Sequence, residues 1–141
     1  MKDKRRGRHT VQFSSPPYIV STYTIAGPLE GQGPLRDHFD AISKDGMYEQ
    51  KSFEKAEAKM MEDAVNEVLR KTANLPEYID YFVASDLLDQ IVISSTTASR
   101  FPIPFIGMYS ACTATALCSS IAAMLIDGGY AFKAVVATSS H

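Results

Sequence analysis

Cysteine and histidine are scarce in this chain. Its 141 residues hold two cysteines, Cys112 and Cys118, and three scattered histidines, His9, His38 and His141. No Cys/His spacing of a metal site occurs, so no metal of the protein's own is expected. Cysteines six residues apart fall about 240° apart around a helix, so these two neither pair readily nor share an ion. Two free thiols point to folding in a reducing compartment. Excess charge of one sign is also missing, since 14 basic and 16 acidic residues leave a net charge of −2. That argues against a general nucleic-acid binder. Long hydrophobic runs are absent as well. The longest, Ala114 to Ile126, is interrupted by Thr115, Ser119 and Ser120, too short and too polar for a transmembrane helix. A phosphate loop is lacking: Gly31-Gln32-Gly33 has no third glycine, and Pro34 removes an N–H where a phosphate would want one.

What is present suits one globular domain, with 45% hydrophobic and 21% charged residues. The cations are unevenly placed. Lys2, Lys4, Arg5, Arg6 and Arg8 crowd the first eight positions, so the remainder is clearly acidic. Residues 1–10 therefore read as a basic, flexible, solvated tail, with contact to anionic lipid or an acidic partner as the functional alternative. No apolar segment follows the cations, so they are not a secretory signal.

From residue 11 the pattern alternates. Residues 11–26 read as strand, broken at Pro16-Pro17 and rich in β-branched and aromatic side chains from Tyr18 to Ile25. Gly27-Pro28 ends it. Residues 52–72 read as a helix, with Phe53, Ala56, Met60, Met61, Ala64, Val65, Val68 and Leu69 at threes and fours. Ser52 suits its cap and Arg70 and Lys71 its last turn. Leu75-Pro76 breaks it. A buried strand, Tyr81 to Ser85, follows, then a short helix from Ser94 to Arg100, a strand running to Cys112, an apolar helix to Ile126, a Gly128-Gly129 stop, and a strand from Lys133 to Thr138. This alternation predicts an α/β fold with a mostly parallel sheet.

Two residues carry possible chemistry. Asp86 ends a strand at the sheet edge where α/β proteins bind ligands, but its position favours a helix cap. Cys112 stands where a helix begins, a position that favours a thiolate or a bound anion; a free cysteine is also commonly core. The helix after it is apolar around most of its circumference, which predicts burial on nearly all sides, between two layers of sheet.

A strand leading to Ala111-Cys112-Thr113 at the start of a buried helix, after the turn and strand Leu75-Pro76-Glu77-Tyr78-Ile79-Asp80-Tyr81, resembles the thiolase-like superfamily. Further strings look like one branch of it, the stage V sporulation protein AD family. They are Gly27-Pro28-Leu29-Glu30-Gly31-Gln32-Gly33-Pro34-Leu35, Lys51-Ser52-Phe53-Glu54-Lys55-Ala56-Glu57, Asp86-Leu87-Leu88, Ile103-Pro104-Phe105 and Ala137-Thr138-Ser139-Ser140-His141. The resemblance runs over nearly the whole chain from about Val11. Asp89 departs from the family's usual Asn, and Ser110 from its usual Gly.

The resemblance implies a thiolase-like (αβαβα) fold whose N-terminal half spans residues 11–141. The second half, which carries the partners of the cysteine in condensing enzymes, would lie beyond His141. It further implies a sporulation role. The family's proteins are soluble subunits, made in the cytoplasm and peripheral to the forespore or spore inner membrane. They bind dipicolinic acid within the stage V sporulation A complex that moves this compound into the spore and releases it on germination; its calcium chelate would suit Asp86, whose carboxylate would repel a bare dianion. Asp86, Cys112 and His141 are then the expected ligand-binding residues, with no cofactor. The alternative is a condensing enzyme like 3-oxoacyl-ACP synthase III, with Cys112 as acyl nucleophile. A third expectation is that the chain works only with a C-terminal half chain, because the apolar helix would otherwise expose its outer face.

Overall fold

The computed structural model describes residues 4–140. Arg5–Arg6 (β1) and Thr10–Val11 (β2) form a small antiparallel hairpin. Its cations are exposed, as a solvated segment requires, but they sit on folded backbone. Lys4 ties the hairpin to Asp127 with an ion pair of 2.6 Å. The long strand expected over 11–26 does not form. Within it Val11 pairs in β2 and Ile25–Ala26 (β3) pairs, in parallel, with Ala41–Ile42 (β4), while Tyr18, Ile19 and Val20 are 85–87% exposed. Their β propensity goes unused because no strand among the described residues lies alongside.

Phe53–Lys71 (α1) forms as its periodicity predicts. Ser52 caps it, its Oγ accepting from the Lys55 N–H at 3.3 Å. The buried stripe is Ala56, Glu57, Ala58, Met61, Val65 and Leu69; Phe53 lies outside it, half-exposed. Then come Tyr81–Asp86 (β5), Val92–Ala98 (α2), Phe105–Gly107 (β6), Ala114–Asp127 (α3) and Ala134–Ser139 (β7). The three strands form a parallel sheet in the order β6-β5-β7, with Phe82 opposite both Phe105 and Val135. The α/β class with parallel strands is thus as the sequence predicts.

β5 is central and buried almost throughout, the near-continuous apolar pattern of a strand covered on both faces. Alternation sends Phe82 and Ala84 to one face, where they pack with Met61, Val65 and Leu69 of α1 and Ala98 of α2. Phe82 meets the rings of Phe101 and Phe105 edge-on, with centroids 5.9 and 6.0 Å away. Tyr81 and Val83 point to the other face, against Cys118 and Ala122 of α3.

α3 departs from its expected burial. Only Cys118 and Ala122 are fully buried, and Thr115, Ala116, Ser119, Ser120 and Met124 are exposed. Among the described residues α3 packs on the β6-β5-β7 sheet, through β5 and β7, so one face of this apolar helix is covered and the other is open. Glycine sets its end: a Cβ on Gly128 would lie 2.9 Å from the Met124 carbonyl oxygen, and Gly129 has φ +79°.

Candidate functional site at the carboxyl edge of the sheet

Parallel strands bring Asp86, Gly107 and Ser139 to one edge of the sheet, where the chain turns towards α2 and α3. Asp86 is 1% exposed, and its carboxylate is fully engaged. Oδ1 accepts from the N–H groups of Asp89 (3.3 Å) and Ile91 (3.1 Å); Oδ2 accepts from the N–H and hydroxyl of Ser94, both at 2.8 Å. These bonds hold a strained turn, since Gln90 and Ile91 have φ of 44° and 82°. A β-branched residue in the left-handed region costs on the order of 1–3 kcal/mol and persists only when its surroundings fix it. Of the two sequence alternatives for Asp86, the structure shows the cap: it clamps the 87–91 turn to the start of α2. All four of these hydrogen bonds come from the chain itself.

Cys112 is exposed, on a single 3-10 turn, Ala111–Thr113, that leads into α3. Ala111 has φ +46°, which turns the chain sharply just before the thiol. The Ser110 carbonyl closes this turn, accepting from the Thr113 N–H at 3.1 Å and from its hydroxyl at 2.8 Å. Cys112 and Cys118 are both free thiols, and burial pushes the Cys118 thiol pKa up.

Beside Cys112 lies an open groove of about 340 Å³, lined by Leu87, Ala111, Cys112, Thr115, Thr138, Ser139 and Ser140. Its floor is a junction of hydroxyls. Thr115 Oγ1 on α3 and Thr138 Oγ1 on β7 are 2.8 Å apart, and Ser139 Oγ donates to the buried Glu57 Oε1 at 2.6 Å. Two further hydroxyls at this end of the sheet, Ser85 Oγ and Ser110 Oγ, are buried without a hydrogen-bond partner among the described residues. None of the described lining side chains is charged. Among the described residues no cluster of His, Cys, Asp or Glu is arranged to hold a metal ion, and no helix is long and apolar enough to cross a membrane.

Of the expected site residues, the structure places Cys112 at the groove and Asp86 beneath the neighbouring turn, while His141 lies outside the described residues. The sequence reading did not single out Thr115, Thr138, Ser139 or Glu57. The first three could have been found from topology, because the end of β7 and the start of α3 must meet where parallel strands finish. Glu57 sits four residues before Met61, on the apolar stripe of α1, and that position marks it as buried.

The elements define a parallel α/β protein with a cysteine-bearing, hydroxyl-lined groove at the carboxyl edge of its sheet. The family model for stage V sporulation protein AD matches residues 7–141. Stage V sporulation protein AD of Bacillus subtilis (strain 168) is 41% identical over 138 residues, which is 98% of this chain and 41% of that protein. The chain belongs to the stage V sporulation protein AD family, and it spans about two fifths of the length of this relative.

Proposed function

We propose that this chain forms the N-terminal half of a thiolase-like sporulation protein that binds dipicolinic acid, at the groove beside Cys112, and catalyses no condensation. In this proposal it works at the spore inner membrane as a peripheral subunit, with the other subunits of the stage V sporulation A complex and with a C-terminal half that covers the open face of α3. The observation that carries the ligand assignment is the groove's lining. Its volume of about 340 Å³ lies within the usual small-molecule range of roughly 300–1,000 Å³. Its polar groups include the hydroxyls of Thr115, Thr138, Ser139 and Ser140, which suit carboxylate oxygens. Its lack of charge suits a neutral ligand better than a bare dianion, because a dianion would leave water without a counter-charge. The 1:1 calcium–dipicolinate chelate is neutral, so it is the favoured form.

Isothermal titration calorimetry of the chain with dipicolinate, with and without equimolar calcium, tests the assignment. Saturable binding that is tighter with calcium, and about fivefold weaker in Thr138→Val through loss of a hydrogen bond of about 1 kcal/mol, is the expected result. Absence of heat in both titrations, alone and with a C-terminal half added, would sink it.

The condensing-enzyme reading rests on a separate observation, the exposed Cys112 thiol on a left-handed turn at the head of a helix. Acyl transfer also needs a base and an oxyanion site, and among the described residues no His, Lys, Asp or Glu lines the groove. Thioester labelling separates the two readings. Stable acylation that disappears in Cys112→Ala would favour the enzyme.

A further inference from the structure

The amino edge of the same sheet is of opposite character. It is marked by Asp80, which accepts from the Phe132 and Lys133 N–H groups at 2.7 and 3.0 Å, and by Lys133, which donates to Asn74 Oδ1 at 2.7 Å. The C-terminal ends of α1 and α3 come to this edge. The basic hairpin is fixed here: Lys4 Nζ donates to the Asp127 carbonyl at 3.0 Å and pairs with its carboxylate. Arg5, Arg6 and Arg8 are exposed on the hairpin, where Arg5 Nη2 donates to the Arg8 carbonyl and Arg6 Nε to Gln12 Oε1 at 2.6 Å.

Large apolar side chains share this edge. The segment after the hairpin is tied at Ser15, whose N–H donates to Asp127 Oδ1 at 2.6 Å, and again at Thr22, whose carbonyl accepts from Lys71 Nζ at 2.9 Å. Tyr18, Ile19 and Val20 lie between these ties and are 85–87% exposed. In the loop from α3 to β7, Tyr130 is 74% and Phe132 93% exposed. Arginines beside uncovered aromatic and aliphatic side chains are the composition of a membrane–water interface, where cations meet anionic headgroups and aromatic rings sit at headgroup level.

We infer that this edge is a docking surface for an anionic lipid bilayer, with the β1–β2 hairpin supplying the cations and residues 18–20, Tyr130 and Phe132 entering the headgroup layer. Charge complementarity selects the occupant. The cations are gathered at one end of a chain of net charge −2, which gives a local contact with a flat anionic surface in place of the extended basic track of a nucleic-acid binder. α3 runs 14 residues from the groove to this edge, about 21 Å at 1.5 Å per residue. The Cys112 groove therefore faces away from the bilayer, towards the aqueous side. This deepens the membrane-association part of the proposed function, and it stands or falls separately from the ligand.

Co-sedimentation of the chain with vesicles tests it, comparing phosphatidylcholine alone with phosphatidylcholine containing phosphatidylglycerol. Binding is expected only with the anionic lipid, and it should weaken as salt is raised. Each cation removed should weaken partitioning about fivefold at low salt, so Arg5→Ala/Arg6→Ala/Arg8→Ala together should lose about a hundredfold. Ile19→Ser/Phe132→Ser should lose about tenfold or more through lost apolar burial. These side chains are exposed, and circular dichroism checks that each variant is folded. If a variant fails to fold, the lipid and salt dependence of the unaltered chain still decides. Equal binding to neutral vesicles, no vesicle binding, or binding to polyglutamate in place of vesicles would overturn the inference. So would a stable dimer by gel filtration that ignores lipid. Dipicolinate titration of the same sample reports on the groove independently.

Discussion

The two faces of the β6-β5-β7 sheet differ more than their shared strands suggest. On the α1/α2 face, Phe82, Met61, Val65, Leu69 and Ile103 close into one core, and two carboxylates, Glu57 and Asp86, are buried there at 1% exposure each. On the α3 face the buried apolar cluster shrinks to Val83, Cys118 and Ala122, and the outer side of α3 is open. The closed face uses its buried carboxyl groups for structure: Asp86 clamps a strained turn, and Glu57 holds Ser139. The open face carries the exposed thiol and the groove. Rigidity on one side thus supports an accessible edge on the other, and buried titratable groups are poor guides to chemistry in this protein.

Substitutions can break or sharpen this contrast. The largest expected effect is Phe82→Ala on the closed face, which empties a fully buried ring site and should destabilise the chain by about 3–5 kcal/mol in urea unfolding. Asp86→Ala comes next. It strips a buried turn of four acceptor bonds and should cost about 2–3 kcal/mol, while leaving calcium–dipicolinate binding by the folded fraction intact. Loss of binding without loss of stability would make Asp86 a ligand residue. On the open face, Met124→Lys should change stability by about 0.5 kcal/mol or less. A loss near 2 kcal/mol would mean that the outer side of α3 is covered in solution, and gel filtration would then show an oligomer.

A smaller effect is expected in acid. Asp80 and Asp127 have carboxyl pKa values held below the ordinary 3.8, Asp80 mainly by the Lys133 and Phe132 N–H groups and Asp127 mainly by Lys4. Each binds fewer protons folded than unfolded, so its contribution is complete above the unfolded value and lost as pH falls through the lower folded one. Thermal melts should therefore weaken below about pH 4, and Asp80→Asn should flatten that dependence. An unchanged slope would remove Asp80 from the account.

Much of the closed face was legible in the sequence, because α1 has a clean period, a serine cap and charged ends that all agree. The open face was harder. An apolar helix states that it is to be buried but not by what, and the covering layer is absent from the described residues. The stretch from Tyr18 to Ile25 misled for a related reason, since strand propensity is realised only beside a partner. Cys112 was legible because a strand, a cysteine and a helix adjoin in sequence. The rest of the groove was legible only through topology, because Thr115 on α3 and Thr138 on β7 are 23 residues apart and meet where the parallel strands finish. Asp86 left two readings open, and only the positions of Ile91 and Ser94 decide between them.

The central claim is that the groove beside Cys112 takes a small, uncharged dicarboxylate complex. Calorimetric titration of the chain with calcium–dipicolinate, beside Thr138→Val and Cys112→Ala, tests it most directly. Saturable one-site binding that weakens in Thr138→Val and survives in Cys112→Ala is the expected outcome. Binding unchanged in Thr138→Val would place the ligand elsewhere, and no binding even with a C-terminal half present would contradict the account.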